Sequence, residues 1–217
     1  MQFIVLLLAA IVLYSCCATT SFGGAVAMST SKISVHSGGL QPVTTQFLHQ
    51  AQPRLIKILD SFGDTGARMK AIVPGIVTVG RIYHDTQPQD GDPTQRANEW
   101  WAQNKGTIMG AKGIDFWEGY NEPGCADVST VQWLAKFESE RVSLLAANGA
   151  KASVGNFGTG SPDITHPEVA KAFLPAIAAA KAHGGILGLH EYNSPNLTNC
   201  FDNSTGEGWM TGRYRKW

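Results

Sequence analysis

Charge is scarce in this chain, and what there is cancels. Its 17 basic and 17 acidic residues leave a formal net charge of zero and together make up 16% of the sequence. There is no basic patch and no run of Lys and Arg, so nucleic acid is not an expected partner. With 43% apolar residues the composition is that of a globular chain and excludes a disordered one. No linker divides the 217 residues and no internal repeat stands out, which fits one domain around one core. A dinucleotide fingerprint is also missing. The only glycine cluster near a strand end, Gly155-x-x-Gly158-x-Gly160, neither opens a helix nor has the spacing that cradles a pyrophosphate. No pair of His, Cys or acidic residues shows tight ligand spacing, so neither a cofactor nor a metal is expected.

Cysteine is sparse as well, at four residues. Two of them, Cys16 and Cys17, follow an uncharged apolar run over residues 4–13. That run is too short to span a bilayer comfortably and leads into small residues, as in a secretory signal peptide covering residues 1–27. Cleavage after Ala18 or after Ala27 fits, and a secreted, extracellular product free of the membrane is then expected. The absence of Lys or Arg before the run leaves an uncleaved anchor as the alternative, and Leu13-Tyr14-Ser15-Cys16 has a faint outline of a lipoprotein site. After cleavage only Cys125 and Cys200 remain, either as one disulfide or as two buried thiols. Asn196-Leu197-Thr198 and Asn203-Ser204-Thr205 are glycosylation acceptors in the same late loop as Cys200.

What the sequence does have is alternation. Short apolar strands are expected at 32–37, 54–59, 76–83, 114–121, 152–157 and 186–192. Helical segments lie between them at 45–50, 65–72, 95–111, 131–147 and 167–183. Ser129 is the expected N-cap of the fourth helix and Asn148-Gly149 its stop. Strands alternating with helices point to a parallel α/β sheet, either a barrel or an open doubly wound sheet. Polar and aromatic residues recur where the strands end: His36, Asp60, Tyr83-His84, Asn121-Glu122, Asn156-Phe157 and His190-Glu191-Tyr192-Asn193. A ring of this kind is what a barrel builds its site from.

The densest of these clusters is Phe116-Trp117-Glu118-Gly119-Tyr120-Asn121-Glu122-Pro123-Gly124. The pattern Glu118-x-x-Asn121-Glu122-Pro123, flanked by Trp117 and Tyr120, resembles the fourth-strand motif of the retaining glycoside hydrolases of clan A. The resemblance covers the layout from the first strand to the sixth and is specific only in the fourth. It implies a (β/α)8 TIM-barrel fold, here incomplete with about six βα units over residues 28–217, acting on a carbohydrate substrate. It implies Glu122 as acid/base, Asn121 as the residue bonding a sugar 2-hydroxyl and Glu118 as a support residue deeper in the barrel. By analogy of position, His36, Tyr83, Tyr120, Asn156, His190 and Tyr192 would line the sugar site.

A retaining enzyme also needs a second carboxylate about 5 Å from the first, which in clan A ends the seventh strand. Residues 208–217 read as the start of a sixth helix, so the expectation is a chain that stops before that strand and has little or no hydrolase activity alone. Glu191 is a poor substitute, because alternate side chains of a strand face opposite ways and it opposes His190 and Tyr192. Two other readings stay open: a noncatalytic carbohydrate-binding protein stacking sugars on Trp117, Tyr120, Tyr83, Phe157 and Tyr192, and a metal-dependent hydrolase drawing on His36, Asp60, His84, Glu122 and His190.

Overall fold

The structure is a computed structural model that describes residues 7–8, 27–31, 33–163, 165–192, 201–202, 207–208 and 210. Its strands are β1 (Leu7–Leu8), β2 (Ile33–Ser37), β3 (Leu55–Leu59), β4 (Val77–Arg81), β5 (Phe116–Glu118), β6 (Ala152–Phe157) and β7 (Ile186–Leu189). Every neighbouring pair is parallel and the strands lie in sequence order. Each strand therefore returns to the sheet beside its predecessor, and β2 to β7 curl into a half-barrel in a mixed α/β fold. A two-residue antiparallel pair, β8 (Phe201–Asp202) and β9 (Glu207–Gly208), stands apart from that sheet. The six expected strands are β2 to β7. The pairing of Leu7 and Leu8 with Ile33 and Ser34 was not expected, since those leucines were read as part of a leader. The proposed cleavage sites at Ala18 and before Met28, like Cys200, Asn196 and Asn203, involve residues outside those described.

Between the strands run α1 (Pro42–Ala51), α2 (Thr65–Ile72), α3 (Pro93–Gly110), α4 (Val128–Ala147), α5 (Pro167–Ala172) and α6 (Leu174–Ala182). Two expectations are corrected here. Asp127, not Ser129, caps α4: its Oδ1 accepts the Thr130 N–H at 2.8 Å, while Ser129 donates its hydroxyl to the same oxygen at 2.7 Å. The helix expected over 167–183 breaks at Phe173, because Pro175 lacks an N–H and fits only the first turn of a new helix.

The sheet has two differently filled faces. On one, the helices lie over Trp117, Val154, Phe157 and Leu189 and contribute Trp100, Trp101, Leu134, Phe137, Phe173 and Ala176 to one buried cluster. Each large side chain buried there stabilises the fold by about 1.5–3 kcal/mol. On the other, Leu55, Val79 and Ile186 meet with Phe116 against them. Strand side chains alternate, so the residues two or four positions on, Lys57, Glu118 and His190, share this second face nearer the strand ends. An apolar layer thus lies beneath a polar one.

No helix among the described residues is long and apolar enough to cross a membrane.

Candidate functional site

The strand carrying the Glu-x-x-Asn-Glu-Pro motif is shorter than expected. β5 ends at Glu118, and Glu122 sits four residues beyond it in a left-handed turn, at φ 48°. Gly119, the next residue, passes close against α4. A Cβ there would lie 2.7 Å from Arg141 Nε and 2.8 Å from Glu138 Oε1, so no larger residue fits without moving a buried pair. Arg141 and Glu138, both fully buried on α4, meet at 2.6 Å. Burial pushes the Glu138 carboxyl up against the opposing pull of Arg141. The guanidinium also donates to the carbonyls of Trp117 at 3.0 Å and Ser153 at 2.6 Å, tying α4 to β5 and β6.

The turn itself is held by two glutamines. The Gln87 side chain accepts from the Asn121 N–H and donates to its carbonyl at 3.0 Å. Gln89 does the same for Gly124, at 2.5 and 3.0 Å. Between them, Tyr120 donates its hydroxyl to Pro88 O at 3.1 Å. The Glu122 N–H donates to Asn156 O at 3.0 Å, and its side chain lies over Gly158, where an added Cβ would be 3.4 Å from three Glu122 side-chain atoms. A non-glycine residue in this backbone region is strained, and such strain gathers at functional sites.

Around Glu122 the half-barrel assembles a chain of ionisable groups. His190 Nδ1 is 2.9 Å from Glu122 Oε1. Tyr192 donates its hydroxyl to Oε1 at 3.1 Å and to Oε2 at 3.3 Å. The other nitrogen of His190, Nε2, is 3.3 Å from Lys57 Nζ, and Lys57 pairs with Glu118 at 2.6 Å, both side chains about 1% exposed. Burial and then the Lys57 charge lower the His190 pKa, so the imidazole is neutral at pH 7. Burial lowers that of Lys57 too, against the pull of Glu118. The Tyr192 hydroxyl is pushed up by burial and by Glu122 and stays a proton donor. Thr159 holds Tyr192 by donating to its carbonyl at 2.7 Å.

His190 and Tyr192 thus stand beside Glu122, two strands apart in sequence order, because β7 and β5 flank β6 and the sheet curls. Glu118 lies below them, paired with Lys57. His36 pairs in register with Lys57 on the same face; burial at its base and the Lys57 charge bring its pKa down to about 4, although the ring keeps open surface. Asn121 is half-buried, with its Oδ1 buried and lacking a hydrogen-bond partner among the described residues. Tyr83 is exposed and its N–H donates to Asp60 Oδ1 at 2.7 Å.

Two residues expected to line a sugar site are turned elsewhere. Tyr120 is 4% exposed and stacks on Phe137 at 4.4 Å, so its face is already covered. Asn156 is fully buried at φ 47°, its side chain folded back onto Ser153, and it serves Glu122 through its carbonyl. Trp117 and Phe157 likewise belong to the core beneath the helices, which removes three of the five stacking aromatics of the noncatalytic reading. Glu191 is fully buried. Cys125 is buried.

For the metal reading, no group of three or more His, Cys, Asp or Glu side chains comes together among the described residues. His190 and Glu122 meet, but His36, Asp60 and His84 do not join them. Lys57, Arg141, Gln87 and Gln89 were missed in the sequence. Only Lys57 left a signal there, as a lone charge inside the apolar strand Leu55-Ile56-Lys57-Ile58-Leu59.

Compared with protein-family models, curated proteins and solved structures, the chain matches none.

Proposed function

We propose that this protein is a secreted glycoside hydrolase of the retaining, two-carboxylate kind on an incomplete TIM-barrel fold, with Glu122 as its acid/base. The observation that carries the reading is the setting of Glu122: a carboxylate one-third exposed at the C-terminal edge of a parallel curled sheet, held between His190 and Tyr192. Oε1 takes the two shorter hydrogen bonds, and Oε2 only the longer one from Tyr192. Oε2 is then the oxygen free to carry a proton to a glycosidic oxygen and to take one back from water. Asn121 beside it is the residue that the resemblance assigns to a sugar 2-hydroxyl.

The anomeric carbon is attacked by a second carboxylate. Glu118 is committed to Lys57 and closed to substrate, and Glu191 is buried, so neither serves. Secretion, glycosylation at Asn196 and Asn203 and a Cys125–Cys200 bridge belong to the same proposal.

Azide can take the nucleophile's place, so an assay with azide reads Glu122 wherever that carboxylate resides. The chain is incubated with azide and a panel of aryl α- and β-glycosides and oligosaccharides. Azide forms the bond to the anomeric carbon as the glycosidic bond breaks, and the aglycone leaves with the Glu122 proton. A glycosyl azide is expected with at least one sugar, falling by about 10²-fold or more in Glu122→Gln for aglycones that need protonation. No product from any sugar, together with measurable oligosaccharide binding, would select the noncatalytic carbohydrate-binding reading.

A further inference from the structure

We propose that Lys57, buried against Glu118, is a positioning residue that keeps His190 Nε2 unprotonated and so, with the Glu122 carboxylate accepting at Nδ1, holds His190 as the neutral Nδ1–H tautomer, a proton donor toward Glu122. The inference rests on the reading of Glu122 as the reacting carboxylate for its functional meaning, but its geometry is independent of that reading. An ammonium has three donors and no acceptor. Standing 3.3 Å from His190 Nε2, Lys57 can only donate, so Nε2 must offer its lone pair. The single proton of the neutral imidazole then sits on Nδ1, 2.9 Å from Glu122 Oε1. That proton is a donor to an anionic Glu122 at every turn of an acid/base cycle, while Oε2 exchanges protons with the substrate.

Glu118 is what keeps Lys57 charged at about 1% exposure. An isolated ammonium at such a depth gives up its proton, and a neutral amine could accept from Nε2–H. The other charged or titratable groups acting on this cluster are Arg81 and His36 on the neighbouring strands, with Glu122 and Tyr192 beyond His190. Arg81 lowers the Lys57 pKa, as burial does, and of the acids Glu118 opposes this most strongly, ahead of Glu122. The arrangement also accounts for a lysine in the middle of an apolar strand, where a Val or Ile would otherwise be expected.

The test is the ¹⁵N spectrum of the His190 imidazole in the whole chain at pH 7, with two-bond correlations separating the two tautomers. In the wild type, Nδ1 is expected at the protonated position and Nε2 at the unprotonated one. In Lys57→Met, and in Lys57→Met/Glu118→Leu should the single variant fold poorly with Glu118 unpaired, Nε2 is expected to move toward the protonated position while Nδ1 keeps the proton it donates to Glu122. A wild-type His190 that is Nε2–H or doubly protonated overturns the proposal. So does an Nε2 that stays unprotonated in both variants. The two readings fail separately: a correct tautomer with no glycosyl azide sinks the hydrolase and leaves the assignment standing, and the opposite pair of results does the reverse.

Discussion

Arg141→Met should be strongly destabilising. It removes the partner of Glu138, which is fully buried, and the donors to Trp117 O and Ser153 O. Stripping one member of a buried ion pair costs about 3–5 kcal/mol, and losing donors to the two carbonyls pushes toward the upper end of that range. Against a folding free energy of about 5–15 kcal/mol for a domain, the variant should be close to unfolding at 37 °C. The loss also has a sign in pH. Burial already raises the Glu138 pKa with Arg141 present, and without it the folded-state value rises further. A carboxyl whose folded pKa lies above its unfolded value is no burden below the unfolded pKa of about 4.3. Above it, folding must hold a proton that the unfolded chain releases, so stability falls with pH by about 1.4 kcal/mol per unit until the folded pKa is passed. Urea unfolding followed by tryptophan fluorescence at pH 5 and pH 8 measures this directly. Arg141→Met should lose stability relative to wild type at both and more at pH 8, and Arg141→Met/Glu138→Leu should recover much of the loss and all of the extra pH dependence. A cost below about 1 kcal/mol at pH 8, with no difference between the two pH values, would refute the reasoning.

The other predictions concern the turn and its surroundings. Gly119→Ala drives a methyl into the same ion pair and should cost about 2–3 kcal/mol in the same unfolding experiment; a neutral result would mean that Arg141 and Glu138 yield freely. Gln87→Ala should leave global stability nearly unchanged while speeding hydrogen exchange at the Asn121 amide at least several-fold, and unaltered exchange would remove Gln87 from the support of the turn. His36 should titrate near pH 4 by NMR, well below an ordinary histidine. Because its folded pKa is lowered, its contribution to stability is present above about pH 6.5 and is lost as pH falls toward 4; a midpoint near 6.5 would show that its ring is neither desolvated nor acted on by the Lys57 charge.

Much of the layout was legible in the sequence. The strand over Ala152–Phe157 and the helix over Thr65–Ile72 fall where expected, since a buried strand and a short helix are written in local apolar runs and their flanking glycines. The errors lie where local rules meet long-range ones. Asp127 and Ser129 are both good caps, and only the backbone path chose between them. Pro175 split a continuous alanine-rich run that composition alone made into one helix. The strand expected to reach Asn121 stops at Glu118, and the next residue, Gly119, lies against Arg141, on a helix over twenty residues later.

The site divides in the same way. Glu122 could be singled out from its neighbours in sequence, and the two-residue period put His190 and Tyr192 on one face with Glu191 excluded. That is as far as the sequence reaches, because periodicity orients a side chain without saying what stands opposite. Only the curl of the sheet, which sets β3, β5 and β7 around one concave face, brings Lys57, Glu118, His190 and Glu122 into a single chain of contacts, from positions up to 133 residues apart. Burial is likewise a property of the assembled protein. It made Tyr120 and Asn156 supports rather than lining, and it turned a lone strand lysine into half of a buried ion pair, since desolvation depends on every element that closes over a group and not on its neighbours in sequence.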